Sequence, residues 1–250
     1  MRLIKKSQKL ADVCYDIRGP VLEKAKQMEE EGQKIIKLNI GNLAVFNFGP
    51  PDEIVQDMIL NMQNAAGYTD SKGMFAPRKA IMHYTQEKQI RGVTIEDIYI
   101  GNGASELIVM GMNALLNAGD EVLVPAPDYP LWTAAVSLSG GKPVHYVCDE
   151  SVGWLPDIED IKRKITPNTK AIVVINPNNP TGTWFSRVEF EQFMTQVPEH
   201  VIVVLDEAYV EFVTDSDFMN GFDYVNQYAN LLVSRTFSKA YGLASLRVGY

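Results

Sequence analysis

Short apolar runs rich in β-branched residues recur along the chain between segments of helical spacing. This alternation limits the fold more than any other feature. The segments DIYI (97–100), EVLVP (121–125), PVHYV (143–147), KAIVVI (170–175), HVIVVLD (200–206) and NLLVSRT (230–236) read as strands. Strands that are apolar at nearly every position suit a sheet covered on both faces, the condition of a parallel sheet. Helical patterns lie between most of them, at 104–116 and 129–139 among others. The expected fold is therefore α/β, a three-layer α/β/α domain with a mainly parallel sheet.

Upstream the pattern is helical. Pro20 followed by VLEKAKQMEEE and Gly32 has proline at the start of a helix and glycine past its end. IIKLNIGN (35–42) reads as a short strand entering a glycine turn, and residues 51–65 and 75–90 carry apolar positions at helical spacing. A boundary is expected near residue 45. It separates an N-terminal arm, or part of a smaller domain, from a large domain over residues 46–250. The strand-like ending LRVGY suggests a chain that continues in the native protein.

Composition narrows the function classes. The net charge is −8, which disfavours a phosphate-binding nucleic-acid surface. Cys14 and Cys148 are the only cysteines, too few and too far apart for a disulfide scaffold. His83, His145 and His200 have no metal-ligand spacing, so no metal is expected. No apolar run reaches the length of a membrane span, and the basic N-terminus has no signal-like apolar stretch behind it. A cytoplasmic enzyme is expected.

Ligands of open parallel sheets bind at the carboxyl ends of the strands, and four motifs fall at such ends. GNGASE (101–106) offers two glycines for close approach and a helix start for an anion. Glu106 occupies the place of the third glycine in a dinucleotide fingerprint, which counts against a dinucleotide oxidoreductase. NPNNPTG (176–182) is a proline-stiffened turn that aims amides, with Asn179–Pro180 a candidate cis bond. LDEAY (205–209) places a carboxylate, Asp206, where a cation is needed, with Tyr209 three residues on. SRTFSKAYGLASLRVGY (234–250) sets Lys239 among aromatic and apolar residues, and desolvation there favours a nucleophilic amine. An anion cradle, an aimed amide, a carboxylate and an activated lysine together suit a phosphorylated aldehyde carrying a pyridine ring.

The combination of PDYP, NPNNPTG, DEAY and SKxxGLAxLRVGY resembles the class I/II (fold-type I) pyridoxal-phosphate-dependent aminotransferases. Residues from about Val13 to Gly182 look like bacterial alanine aminotransferases. Those from about Thr183 look like histidinol-phosphate aminotransferases, so a natural mosaic, a recombined chain and an intermediate branch stay open. The resemblance implies pyridoxal 5'-phosphate as cofactor and Lys239 as the lysine that holds it as a Schiff base and then moves a proton. It implies that Asp206 pairs with the ring nitrogen, and that Tyr209 and Asn179 bond the ring's phenolate oxygen. Tyr129 stacks on the ring. Ala104, Ser105, Thr236, Ser238 and Arg247 hold the phosphate.

Tyr68 resembles the tyrosine that reaches a neighbouring subunit's phosphate, which implies a homodimer with a shared site. Gly41 resembles a glycine near the substrate carboxylate, and Asn179 faces the substrate too. Leu43 stands where the alanine-type pattern has a proline. The resemblance leads us to expect that the family's C-terminal small domain, which supplies a carboxylate-binding arginine, is missing from this chain, with Arg18 a weak substitute. The implied activity moves an amino group from an amino acid to a 2-oxo acid, with alanine/pyruvate and glutamate/2-oxoglutarate first and histidinol phosphate as the alternative. Two rival readings are an inactive cofactor-binding fragment and a cofactor-sensing domain without catalysis.

Overall fold

The computed structural model describes residues 7–11, 13, 19–37 and 41–250. Cys14 and Arg18 lie outside the described residues, as do residues 38–40 of the strand expected at 35–42. Residues 35–37 of that segment form no strand. The first helix, α1 (Gly19–Glu30), ends before Gly32, which adopts φ +87°. Helices α2 (Asp52–Asn61) and α3 (Phe75–Glu87) follow the helical spacing upstream of the sheet.

Strand β1 is only Gly101–Asn102 and leads into α4 (Gly103–Leu115). The strand expected at 97–100 does not form, because its backbone groups are used elsewhere. Buried Arg78 donates to the carbonyls of Ile98 at 3.1 Å and Ile95 at 2.6 Å. The Ile100 N–H donates to the Lys72 carbonyl at 3.0 Å. Pairing therefore begins only at Gly101.

Then come β2 (Glu121–Ala126), α5 (Leu131–Leu138), β3 (Lys142–Asp149), β4 (Leu155–Pro156), α6 (Ile158–Lys164) and β5 (Thr169–Ile175). The chain continues with α7 (Arg187–Met194), β6 (Ile202–Asp206), β7 (Leu231–Ser234) and β8 (Val248–Gly249). No α-helix joins β6 to β7. The short turns Val210–Phe212 and Gly221–Asp223 stand there.

The main sheet runs β4-β3-β2-β5-β6-β7, parallel throughout except for β4 at its edge. A second, antiparallel pair joins β1 to β8. Backbone bonds exchanged between Arg235 and Tyr250, and a bridge from Thr236 to Gly249, link that pair to the end of β7.

The period-2 alternation of the strands divides the core into two layers. Leu123, Ile172, Val203 and Leu205 face one side and pack with Ile161 of α6 and Phe190 and Phe193 of α7. Val122, Val124, Val173 and Val204 face the other and pack with Ile108 and Met112 of α4 and Trp132 of α5. The expected three-layer α/β/α architecture is thus present, with an antiparallel β1–β8 pair that the sequence pattern did not announce.

Gly249 is where that pair meets the start of α4. A side chain there would overlap the backbone of Gly103 and Ala104. Backbone cannot swing aside as a side-chain tip can, so Gly249→Ala is expected to destabilise the chain by about 1–3 kcal/mol. Urea unfolding measures this, and wild-type stability would show that the contact relaxes freely.

Candidate active site

Five loops at one rim of the sheet build the site. The turn from β1 into α4 supplies Ala104 and Ser105, and the segment after β2 supplies Tyr129. Asn179 follows β5, Asp206 and Tyr209 close β6, and Thr236, Ser238 and Lys239 follow β7. Arg247 arrives from the approach to β8. All of these line one cavity of about 140 Å³, together with Ile108, Ile175 and Ala208.

At one end of the cavity lie groups suited to an anion. Arg247 is in the left-handed region, φ +55°, a costly conformation for a residue with a side chain. Its Nη1 donates to the Ala244 carbonyl at 3.0 Å, and its Nη2 reaches Ser105 Oγ at 3.5 Å. Gly103, at φ +74°, makes room for it, since an added Cβ would come within 2.9 Å of Nη2. The Thr236 and Ser238 hydroxyls are bonded to each other at 2.9 Å, and Thr236 Oγ1 also accepts the Ser238 N–H at 3.1 Å. The first turn of α4 adds outward-facing N–H groups.

Asp206 is the opposite pole. Its side chain is buried, with Oδ2 accepting the Trp132 indole N–H at 2.9 Å and Oδ1 accepting the Ala208 N–H at 3.1 Å. Burial holds its carboxyl above the ordinary range. The two hydrogen bonds oppose that, and the Lys239 charge opposes it least. Between the poles, Asn179 Nδ2 lies 3.4 Å from the Tyr209 hydroxyl, and Lys239 Nζ lies 5.1 Å from the centre of the Tyr209 ring. The donor set fits pyridoxal 5'-phosphate. A buried carboxylate with no hydrogen-bonded cation would suit a protonated ring nitrogen, an amine stands beside an amide and a phenol, and an arginine with hydroxyls would suit a phosphate.

Two expected site residues are not brought to this cavity. Tyr68 is fully exposed, and Gly41 lies in open surroundings with nothing near the place of a Cβ. Glu106 is absorbed locally, its carboxylate accepting the Asn102 N–H at the helix start. Sequence reasoning missed Trp132, because a contact spanning 74 residues leaves no local signal. It also missed the buried pair of Glu207 and Arg235 behind the site. The cis bond considered at Asn179–Pro180 is present, with others at Ala126–Pro127 and Asn176–Pro177.

The Asp206 carboxyl binds its proton more tightly in the folded chain than in the unfolded one. Folding stability is therefore lost as pH rises above its ordinary value of 3.8. Asp206→Asn removes that loss. The cofactor-free variant is expected to be more stable than the parent near neutral pH, with the difference shrinking as pH falls to about 4. Urea titrations at several pH values measure it. A pH-independent difference would mean that the carboxylate is not destabilised by burial.

Comparison with known proteins agrees with the geometry. The model of "Aminotransferase class I and II" matches residues 33–250. The glutamate-pyruvate aminotransferase AlaA of Escherichia coli K12 is 55% identical over 254 aligned residues, covering 100% of this chain and 62% of the relative. Histidinol-phosphate aminotransferase 2 of Hydrogenovibrio crunogenus is 44% identical over 154 residues, covering 62% of this chain and 40% of that protein. The crystal structure of an aminotransferase from Escherichia coli superposes with a TM-score of 0.89 at 53% identity, over 99% of this chain and 62% of that one. The chain thus spans 62% of the length of the two Escherichia coli relatives. With the match running from residue 33 to its last residue, the chain belongs to the class I and II aminotransferase family.

Proposed function

We propose that this chain carries the cofactor site of a pyridoxal-phosphate-dependent aminotransferase. The enzyme moves an amino group from an amino acid to a 2-oxo acid, with alanine/pyruvate and glutamate/2-oxoglutarate as the substrate pairs. The observation that carries the reading is one cavity holding Lys239, the buried Asp206 carboxylate and the Arg247–Ser105 anion pole at once. The whole-chain likeness to a glutamate-pyruvate aminotransferase supports the substrate pairs.

When bound, the cofactor supplies a conjugated ring that accepts the electrons released at the substrate α-carbon. The residues supply the rest. Asp206 would face the ring nitrogen, where its carboxylate would favour a protonated, electron-poor ring. The Lys239 amine would be the group that holds the cofactor's aldehyde and, once free, the base that takes up and returns a proton. Asn179 and Tyr209 orient the ring oxygen beside that amine, and Tyr129 covers a ring face. Arg247 grips the phosphate through charge-assisted bonds, with Ser105, Thr236, Ser238 and the Ala104 backbone around it. An open concavity of about 550 Å³ shares Asn179 and Tyr209 with the cavity and gives the substrate its approach. Gly41 belongs to the substrate side in this reading.

A homodimer is part of the proposal, with Tyr68 reaching the neighbouring copy's phosphate. Phe46, Phe48, Ile59, Leu60 and Met62 expose large apolar areas on the same stretch of chain as the fully exposed Tyr68. The arm ending near residue 45 and the large domain after it belong to the same reading. So does a cytoplasmic setting, in keeping with the free, buried Cys148 thiol. Among the described residues no helix is long and apolar enough to cross a membrane. A histidinol phosphate donor is the second reading, supported by the 154-residue match.

Four measurements test the proposal. Added pyridoxal phosphate is expected to give an absorbance band that borohydride removes and that Lys239→Ala lacks, and the absence of a band in the parent would sink the cofactor assignment. Arg247→Ala is expected to weaken cofactor binding by about tenfold to a hundredfold, the loss of one charged hydrogen-bonding anchor. Ile59→Asp is expected to turn a dimer into a monomer in sedimentation, while a parent that is already monomeric would remove the shared site. Turnover with alanine and 2-oxoglutarate, against histidinol phosphate and 2-oxoglutarate, separates the two substrate readings.

A further inference from the structure

Glu207 follows the cavity's carboxylate directly and is wholly buried. By strand alternation it leaves β6 on the face opposite Asp206. Its Oε2 accepts from Arg235 Nε at 2.9 Å and Nη2 at 2.5 Å, and its Oε1 accepts the Gly221 N–H at 2.6 Å. Arg235 Nη2 also donates to Asn220 Oδ1 at 2.7 Å, and the guanidinium lies 3.6 Å over the Phe222 ring. Arg235 in turn stands one residue before Thr236, where the cavity's hydroxyl and lysine turn begins. Its backbone exchanges hydrogen bonds with Tyr250, three residues past Arg247.

The pair therefore touches no part of the cavity, yet it joins the segments that present both of its poles. A buried ion pair is a poor source of stability, since an apolar pair of similar volume does as well or better. Its distinctive property is geometry. Two N–H groups of one rigid, planar guanidinium converging on a single carboxylate oxygen fix distance and orientation together, which the rotatable ammonium of a lysine cannot do.

We propose that Glu207 and Arg235 are positioning residues. They fix the spacing between the strand end that presents Asp206 and the turn that presents Thr236, Ser238 and Lys239, and so set how the cofactor is held. For the cofactor, this rests on the reading given above. For Asp206, it is testable on the chain alone.

The test compares the parent with Glu207→Gln, Arg235→Lys and the milder Asn220→Ala, which removes only the outer acceptor. Phe193→Leu, in the core on the α7 side, serves as a destabilised control. The first readout is the indole N–H resonance of Trp132 in the cofactor-free chain, because that group donates to Asp206. The second is the dissociation constant of pyridoxal phosphate and the pH midpoint of its bound absorbance.

Glu207→Gln and Arg235→Lys are expected to move the Trp132 resonance, weaken binding by about tenfold or more and shift the midpoint. Phe193→Leu should lower stability and change neither. Pair variants that lose stability like the control, with resonance, affinity and midpoint unmoved, overturn the proposal. If Glu207→Gln does not fold, Arg235→Lys and Asn220→Ala decide by the same readouts. A parent without an absorbance band would defeat the cofactor reading, and the Trp132 resonance would still decide whether the pair holds Asp206.

Discussion

The site depends on the shared register of three parallel strands. Ile175, Asp206 and Ser234 stand side by side in one row of the sheet. Parallel pairing fixes the strand ends relative to one another through backbone bonds that no side-chain change can shift by one residue without turning every inward residue outward. Because the strands end at the same level, the loops that follow them leave together. Asn179, Tyr209 and Lys239 come from different parts of the chain and converge for that reason. The backbone bonds from Asn176 N–H to the Asp206 carbonyl, and from Glu207 N–H to the Ser234 carbonyl, carry the register to the first residue past the strands.

On that frame the charges are arranged by face. Asp206 points to the layer containing Trp132, and Glu207 points to the layer containing Gly221. The two adjacent carboxylates meet different needs. Glu207 has a cation within the fold, the Arg235 guanidinium, which opposes the effect of burial on its carboxyl. Asp206 has only neutral donors at hydrogen-bonding distance. A carboxylate buried short of a counter-charge weakens the fold by itself and would be satisfied by a positively charged ligand atom. Stability is thereby given up where binding is gained.

Much of this was legible in the sequence because it was local. The apolar runs at 121–125, 170–175 and 200–206 marked strands whose side chains are buried on both faces. The motifs after them marked loops with unusual turn chemistry. Lys239, Asp206, Asn179 and Arg247 were singled out that way, and the fold gathers them around one cavity. Trp132 and Arg235 were not, because an indole inside an apolar helix and an arginine after a strand are commonplace until folding shows what they touch. The segment 97–100 misled for the converse reason. Its composition is that of a strand, but buried Arg78 takes the Ile98 carbonyl and the Ile100 N–H goes to the Lys72 carbonyl.

The sequence by itself determined the layered α/β class, the order of the strands along the chain and the residue types at each carboxyl end. These follow from hydrophobic period and turn chemistry, which act over a few residues. Only the tertiary structure decided which ends meet, that β8 turns back antiparallel against β1, and that Asp206 is held by an indole while its neighbour Glu207 is held by a guanidinium. Those outcomes rest on contacts between segments far apart in the chain, set by packing and register rather than by any local preference.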